Sequence, residues 1–350
     1  MNVRSNSVWL SAAAASILVA CFPQAGAQET QDPKAAKALT KESEDTAKVD
    51  PSLPEYKPVS GVSGNLNSIG SDTLNNLMTL WTEGFQKQYP NVRIQVEGKG
   101  SSTAPPALIA GSAQLGPMSR EMKSSEIDDF KGKYGYPPTA IRVAIDALAI
   151  YVNKDNPIQK LTMAQVDAIF GKQRKAGYEK NIVTWGDAGL TGEWASLPIS
   201  LYGRNSASGT YGFVKEQVLK NGDYKDTVKE QPGSAAVLLG VTEDRAGIGY
   251  SGIGYKTSGV RAVPIAKDAG SEAGTVGATS VYGGKYPITR FLYVYINKSP
   301  KKPLDPLVKE FMKYVLSQQG QQGTLKDGYF PIPSKIATEE LAKLENSAPQ

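Results

Sequence analysis

The chain has 350 residues, 40% of them apolar, which allows a substantial core and suits two domains. Its formal net charge of +5 suits an anionic ligand and equally suits an ordinary protein surface. There is no histidine, and the single cysteine, Cys21, lies in the N-terminal leader; a Ser-His-Asp or Cys-His nucleophile system, a Cys/His zinc site and an internal disulfide are excluded from the mature chain.

The leader reads as an export signal. Arg4 supplies positive charge, and residues 8–20 form an apolar run too short to span a bilayer comfortably. Two processing readings stay open. Ala25-Gly26-Ala27 is a small-x-small cleavage site that ends a signal peptide of residues 1–27. Leu18-Val19-Ala20-Cys21 resembles a bacterial lipobox that would leave Cys21 lipidated. Either reading places the protein outside the cytoplasm, as a periplasmic, lipid-anchored or surface-released species. Residues 28–60 are rich in Lys, Glu, Asp, Thr and Pro and poor in large apolar side chains, so a flexible tether is expected there.

From Gly64 onward, strands and helices alternate. Residues 66–70 read as a short strand, followed by Ser71-Asp72 capping a helix with Leu74, Leu77, Met78, Trp81 and Phe85 on one face. Residues 92–96 alternate as a half-buried strand. A loop at 98–103 leads to a helix over 104–110 with prolines at its start. The run IRVAIDALAIYV (141–152) is long, β-branched and nearly all apolar, as a central covered strand is. Helices are expected near 162–170, 210–220, 234–240, 304–317 and 337–344, and strands at 199–202, 248–250 and 288–296. This alternation predicts an α/β fold with mostly parallel sheets.

Three junctions share one chemistry: Gly70-Ser71-Asp72-Thr73, Gly100-Ser101-Ser102-Thr103, and Arg204-Asn205-Ser206-Ala207-Ser208-Gly209-Thr210. Each is built of Gly, Ser and Thr and opens a helix. Glycine lets backbone approach a ligand, hydroxyls donate, and a helix N-terminus offers free N–H groups. Arg204 adds a planar fork that can grip two anion oxygens. Alone, such a loop is most often ordinary capping; three in one chain, one with an arginine, point to an anion site.

Two further candidates each carry an alternative. Gly116-Pro117-Met118-Ser119-Arg120-Glu121 places Ser119 at an expected helix start and Arg120 as a second cation, unless Arg120 pairs with Glu121, Glu126 or solvent. Asp146 stands inside the apolar strand. It either accepts a hydrogen bond from a protonated phosphate oxygen, a donor that sulfate lacks, or pairs with Arg142 or another cation. Gly247-Ile248-Gly249-Tyr250-Ser251-Gly252 matches G-x-G-x-x-G, but no helix is expected after it, so a nucleotide reading fails. No cofactor is expected.

Taken together, GSDTL (70–74), EGKGSST (97–103), LGPMSRE (115–121), Asp146-Ala147-Leu148-Ala149, RNSASGTYG (204–212) and AGIGYSGIGY (246–255) resemble the PstS family, the phosphate-binding components of bacterial phosphate ABC transporters. The resemblance runs from about 64 to about 333. It implies a class II periplasmic binding protein fold of two α/β lobes with two crossover strands and ligand in the cleft. Lobe I would comprise 61–147 plus 257–345, and lobe II 148–256. It also implies phosphate contacts by Thr73, the Leu74 N–H, Ser101, Arg204, Ser208, Gly209 and Thr210. Some members carry an aspartate where this chain has Arg120, so the accepting carboxylate must come from elsewhere, and Asp146 is the candidate. The function implied is non-catalytic capture of inorganic phosphate by hinge closure and delivery to a membrane permease. A monomer is expected, with no nucleic-acid partner. The rivals are a phosphatase or other hydrolase, and a module for another tetrahedral oxyanion or for surface adhesion.

Overall fold

The computed structural model describes residues 45–345. The leader and both Cys21 readings lie outside the described residues.

The long apolar run forms the strand Thr139–Asn153, buried along nearly all of its length. Its partners change midway. From Thr139 to Ala147 it pairs antiparallel with Thr289–Ile296; from Leu148 to Val152 it pairs with Gly247–Gly252. The strand order around it is Gly116–Met118, Thr289–Ile296, Thr139–Asn153, Gly247–Gly252, Ser200–Arg204 and Lys229–Gln231. Parallel pairing was expected to dominate, but every pair made by the long strand is antiparallel. Parallel pairs join Gly64–Ile69 to Val92–Glu97, and Ser200–Arg204 to both of its neighbours.

One apolar cluster gathers on the first half of the long strand, around Trp81, Phe85, Leu292 and Phe311. A second gathers on the second half, around Phe170, Trp185, Val214 and Ile248. The helix Asn75–Gln88 presents the predicted stripe, with Leu77, Met78, Trp81 and Phe85 all buried. Trp81 also donates its indole N–H to the Gly320 carbonyl at 2.8 Å, so its polar edge is satisfied inside the core.

Three expectations need correcting. The helix near residue 120 begins at Ser124, not Ser119, because Glu126 reaches back to the Lys123 N–H and sets the first turn there. Ser119 instead follows directly on the strand Gly116–Met118. The expected helix at 304–317 is Pro306–Val315, and a further helix, Gln318–Lys326, follows it. Its sequence, QQGQQGTLK, has no apolar period. It is held by polar pairing instead: buried Gln321 donates to the Val143 and Val315 carbonyls and accepts from the Ile332 N–H.

The tether does not extend to 60. Within 45–60, Leu53 and Tyr56 are buried in the first cluster. Gln318 donates to the carbonyls of Pro51 and Leu53, and the Tyr56 hydroxyl meets Tyr89 at 2.7 Å and Glu310 at 3.0 Å. Two apolar anchors suffice to dock a segment that is polar on average.

Replacing Tyr56 with alanine is therefore expected to destabilise the fold by about 3 kcal/mol. That should lower the thermal midpoint by roughly 5 °C or more. A thermal melt followed by circular dichroism checks this; a tether residue would leave the midpoint unchanged.

Candidate functional site

The three Gly-Ser-Thr junctions meet at one place. Gly70 lies against the strand Gly116–Met118, where a Cβ would sit 2.1 Å from the Pro117 carbonyl oxygen. Gly100 has φ +111°, and a Cβ there would lie 2.6 Å from the Ala207 carbonyl oxygen. Gly209, first residue of the helix Gly209–Gln217, faces Ser101 and Ser119, whose hydroxyl oxygens would be 2.2 and 2.6 Å from its Cβ. At each contact only glycine lets the segments approach this closely. The result is a cluster of buried hydroxyls: Thr73, Ser101, Ser119, Ser208 and Thr210. Thr73 and Thr210 Oγ1 are 3.0 Å apart. Ser101 Oγ accepts from the Ser119 N–H at 3.0 Å and lies 3.2 Å from Ser119 Oγ. Ser208 caps its helix, accepting from the N–H groups of Thr210 and Tyr211.

The first junction is a 3₁₀ turn, Asp72–Leu74, oriented from behind. Tyr255 donates its hydroxyl to the Asp72 carbonyl at 2.7 Å, and Tyr329 donates to the Thr73 carbonyl at 2.8 Å. Among the described residues there are no cis peptide bonds, so the N–H groups of Thr73 and Leu74 point away from these tyrosines. Leu74 itself is fully buried in the first apolar cluster and offers only backbone.

Arg204 ends the strand Ser200–Arg204 and is 2% exposed. Its Nη1 donates to Ser234 Oγ at 2.9 Å and lies 3.2 Å from Asp72 Oδ2; its Nη2 donates to the Pro232 carbonyl at 3.2 Å. Its Nε is buried and has no protein partner. Burial holds this guanidinium below its ordinary pKa, opposed by Asp72 and reinforced by a second cation, Arg290. Asp72 Oδ2 also accepts from the Ser234 N–H and hydroxyl, 162 residues away in sequence.

Arg290 went unrecognised in the sequence, and it revises Asp146. The two residues stand directly opposite across the antiparallel ladder. Asp146 Oδ2 accepts from Arg290 Nε at 3.0 Å and Nη2 at 2.8 Å, and its Oδ1 accepts from the Ile253 N–H. Both groups are buried. Asp146 is thus the partner of a cation, the alternative reading, and that cation is Arg290 and not Arg142, which pairs with Glu339 and Glu340. The available signal was an arginine near the start of one apolar strand and an aspartate inside another, each needing a partner if buried.

Arg120 does not join the cluster as a free cation. Glu126 grips its guanidinium with both oxygens at 2.7 Å, and Arg120 Nη1 also donates to the Glu121 carbonyl. Burial alone would raise the Glu126 carboxyl, but Arg120 and the Lys123 N–H hold it below its ordinary range. The strand Gly247–Gly252 is followed by a short 3₁₀ turn, so the G-x-G-x-x-G run lacks the helix a dinucleotide needs.

The residues 56–319 match the PBP superfamily domain. The chain belongs to that superfamily of binding proteins. It is 57% identical over 298 residues to the phosphate-binding protein PstS of Pseudomonas aeruginosa, covering 85% of this chain and 92% of the relative. Within the superfamily, this chain is a member of the PstS family. PstS of Staphylococcus saprophyticus is 28% identical over 81% of this chain and 85% of its own. Among solved structures, an ABC-type phosphate transport receptor from Vibrio cholerae superposes with a TM-score of 0.58 at 21% identity, over 76% of this chain and all of the other.

Behind the first junction lies Asp327, whose Oδ2 is buried without a partner and whose pKa burial raises to about 7. A carboxyl raised on folding stabilises the native state at low pH, and that contribution is lost as pH rises toward and through about 7. Asp327→Asn is therefore expected to match the wild type at pH 4 and to be the more stable of the two at pH 8. Paired melts across that range check it; parallel curves would contradict it.

Proposed function

We propose that this protein captures inorganic phosphate outside the cytoplasm and hands it to the membrane permease of a phosphate ABC transporter. It is a binding protein and not an enzyme. The observation that carries the phosphate reading is the unpartnered Nε of buried Arg204, beside a cluster of hydroxyls and helix-start N–H groups. Asp72, Ser234 and Pro232 hold the Nη atoms, so the fork is fixed in direction while Nε keeps a hydrogen bond to give. A tetrahedral anion satisfies that donor together with Thr73, Leu74, Ser101, Gly209 and Thr210, supplying charge that Arg204 and Arg290 both favour. Ser119 and Ser208 shape the cluster, Ser119 by donating to Ser101 and Ser208 by capping its helix.

Discrimination against sulfate is assigned here to Asp72, in place of Asp146. Asp146 is committed to Arg290 and the Ile253 N–H. Asp72 uses only Oδ2 in hydrogen bonds among the described residues and stands next to Thr73. A protonated phosphate oxygen can donate to Oδ1, whereas sulfate would meet bare repulsion.

The cleft closes by movement of two lobes about the long strand. The change of its partners between Ala147 and Leu148 supports a lobe boundary there. The return is better drawn near 288 than at 257, because Val260–Ala262 pairs with Tyr151–Asn153 and Val263, Ile265, Val281 and Tyr286 pack into the second apolar cluster. Asp72 bonded to Ser234, and Ser102 N–H bonded to the Ala207 carbonyl, link the two lobes. Among the described residues no helix is long and apolar enough to cross a membrane, in keeping with an exported carrier.

Titration calorimetry on protein stripped of ligand by unfolding and refolding tests the reading. Phosphate should bind and sulfate should not; absence of heat with phosphate would overturn it. Arg204→Gln should weaken phosphate binding by at least about 100-fold, because a buried charge contact is lost. Asp72→Asn should admit sulfate while weakening phosphate.

A further inference from the structure

Resting on that reading of the site, we infer that Arg290 is a positioning residue for phosphate, acting through a relay of two hydroxyls, Thr210 and Thr73. Arg290 lies on the strand Thr289–Ile296, and all three of its nitrogens are engaged. Nε and Nη2 donate to Asp146, Nη1 donates to the Ser119 carbonyl at 2.8 Å, and Nη2 donates to Thr210 Oγ1 at 2.9 Å. The guanidinium also stacks over Phe213, 5.1 Å from the ring centroid. It is therefore fixed on every side.

The direction of the Arg290–Thr210 bond is unambiguous, because a guanidinium has no acceptor. Thr210 must accept there, and its own proton must go elsewhere. Arg290 Nη2 is shared between Thr210 Oγ1 and Asp146 Oδ2, so the threonine oxygen meets a donor on that side. With Arg290 in place, Thr210 turns its proton toward Thr73, 3.0 Å away, or into the cluster. Whichever of the two threonines donates to the other, one proton remains over. That proton is presented by a hydroxyl polarised by a buried cation, which strengthens it as a donor to an anion. Arg290 also pins Ser119, whose N–H fixes Ser101 Oγ. One cation thus sets hydroxyl direction on several sides of the site without itself being the group that grips the ligand.

A structural role alone would make loss of Arg290 equally costly whatever stands at position 210. The relay predicts dependence on that hydroxyl, so phosphate affinity is measured in a double-mutant cycle. The paired variant Asp146→Asn with Arg290→Gln removes both charges and keeps an amide pair across the ladder. It is compared with the wild type in the Thr210 background, and again in Thr210→Val and Thr210→Ser backgrounds. With Thr210 or Ser at 210 it should weaken phosphate binding by about 10-fold; with Val it should change binding by less than about 2-fold. Equal loss in all backgrounds, or no loss, overturns the relay. A far-UV circular dichroism melt verifies folding. Should the paired variant not fold, Arg290→Lys takes its place with the same expected dependence, since lysine cannot hold Asp146, Ser119 and Thr210 together. Failure of the wild type to bind phosphate would instead defeat the phosphate reading itself, so the two failures are distinguishable.

Discussion

A guanidinium taken out of water must be given back its hydrogen bonds and a counter-charge. This fold does that twice within one small region. Arg290 is answered by Asp146, directly across a β-ladder, and Arg204 by Asp72, on a turn far away in sequence. The first pair is fully satisfied and rigid. The second keeps one donor, Nε, in reserve. Anion capture depends on that inequality: one cation builds the site, and the other leaves a bond for the ligand to complete.

The rest of the architecture serves to bring these charges together. The long strand carries Asp146 at the point just before its partners change. Three glycines, Gly70, Gly100 and Gly209, let separate segments approach to distances any side chain would block. Tyr255 and Tyr329 hold the 3₁₀ turn by its carbonyls and so aim its N–H groups. None of these contacts is strong alone; each removes a freedom that a bound anion would otherwise have to remove.

Much of this was legible from residue types. The Gly-Ser-Thr junctions and Arg204 stand out because their chemistry is local, and the apolar run 141–152 declares itself by composition. What escaped was set by distant pairing. Asp146 was visibly anomalous in an apolar strand, but its partner depends on the register with Thr289–Ile296, which no short window contains. Arg120 carried two readings, free cation or partner of Glu121, Glu126 or solvent, and the Glu126 reading holds because the helix starting at Ser124 brings that carboxylate onto it. The helix Gln318–Lys326 has no apolar period and owes its place to Gln321. The stretch 45–60 looked like pure tether because its average polarity hides Leu53 and Tyr56.

The central claim is spatial, and a crystal structure with phosphate tests it most directly. The account predicts a phosphate oxygen within hydrogen-bond distance of Arg204 Nε, with Thr73, Ser101 and Thr210 on the remaining oxygens and Arg290 still bound to Asp146. Phosphate seated elsewhere, or Arg204 Nε left without a partner in the complex, would contradict it.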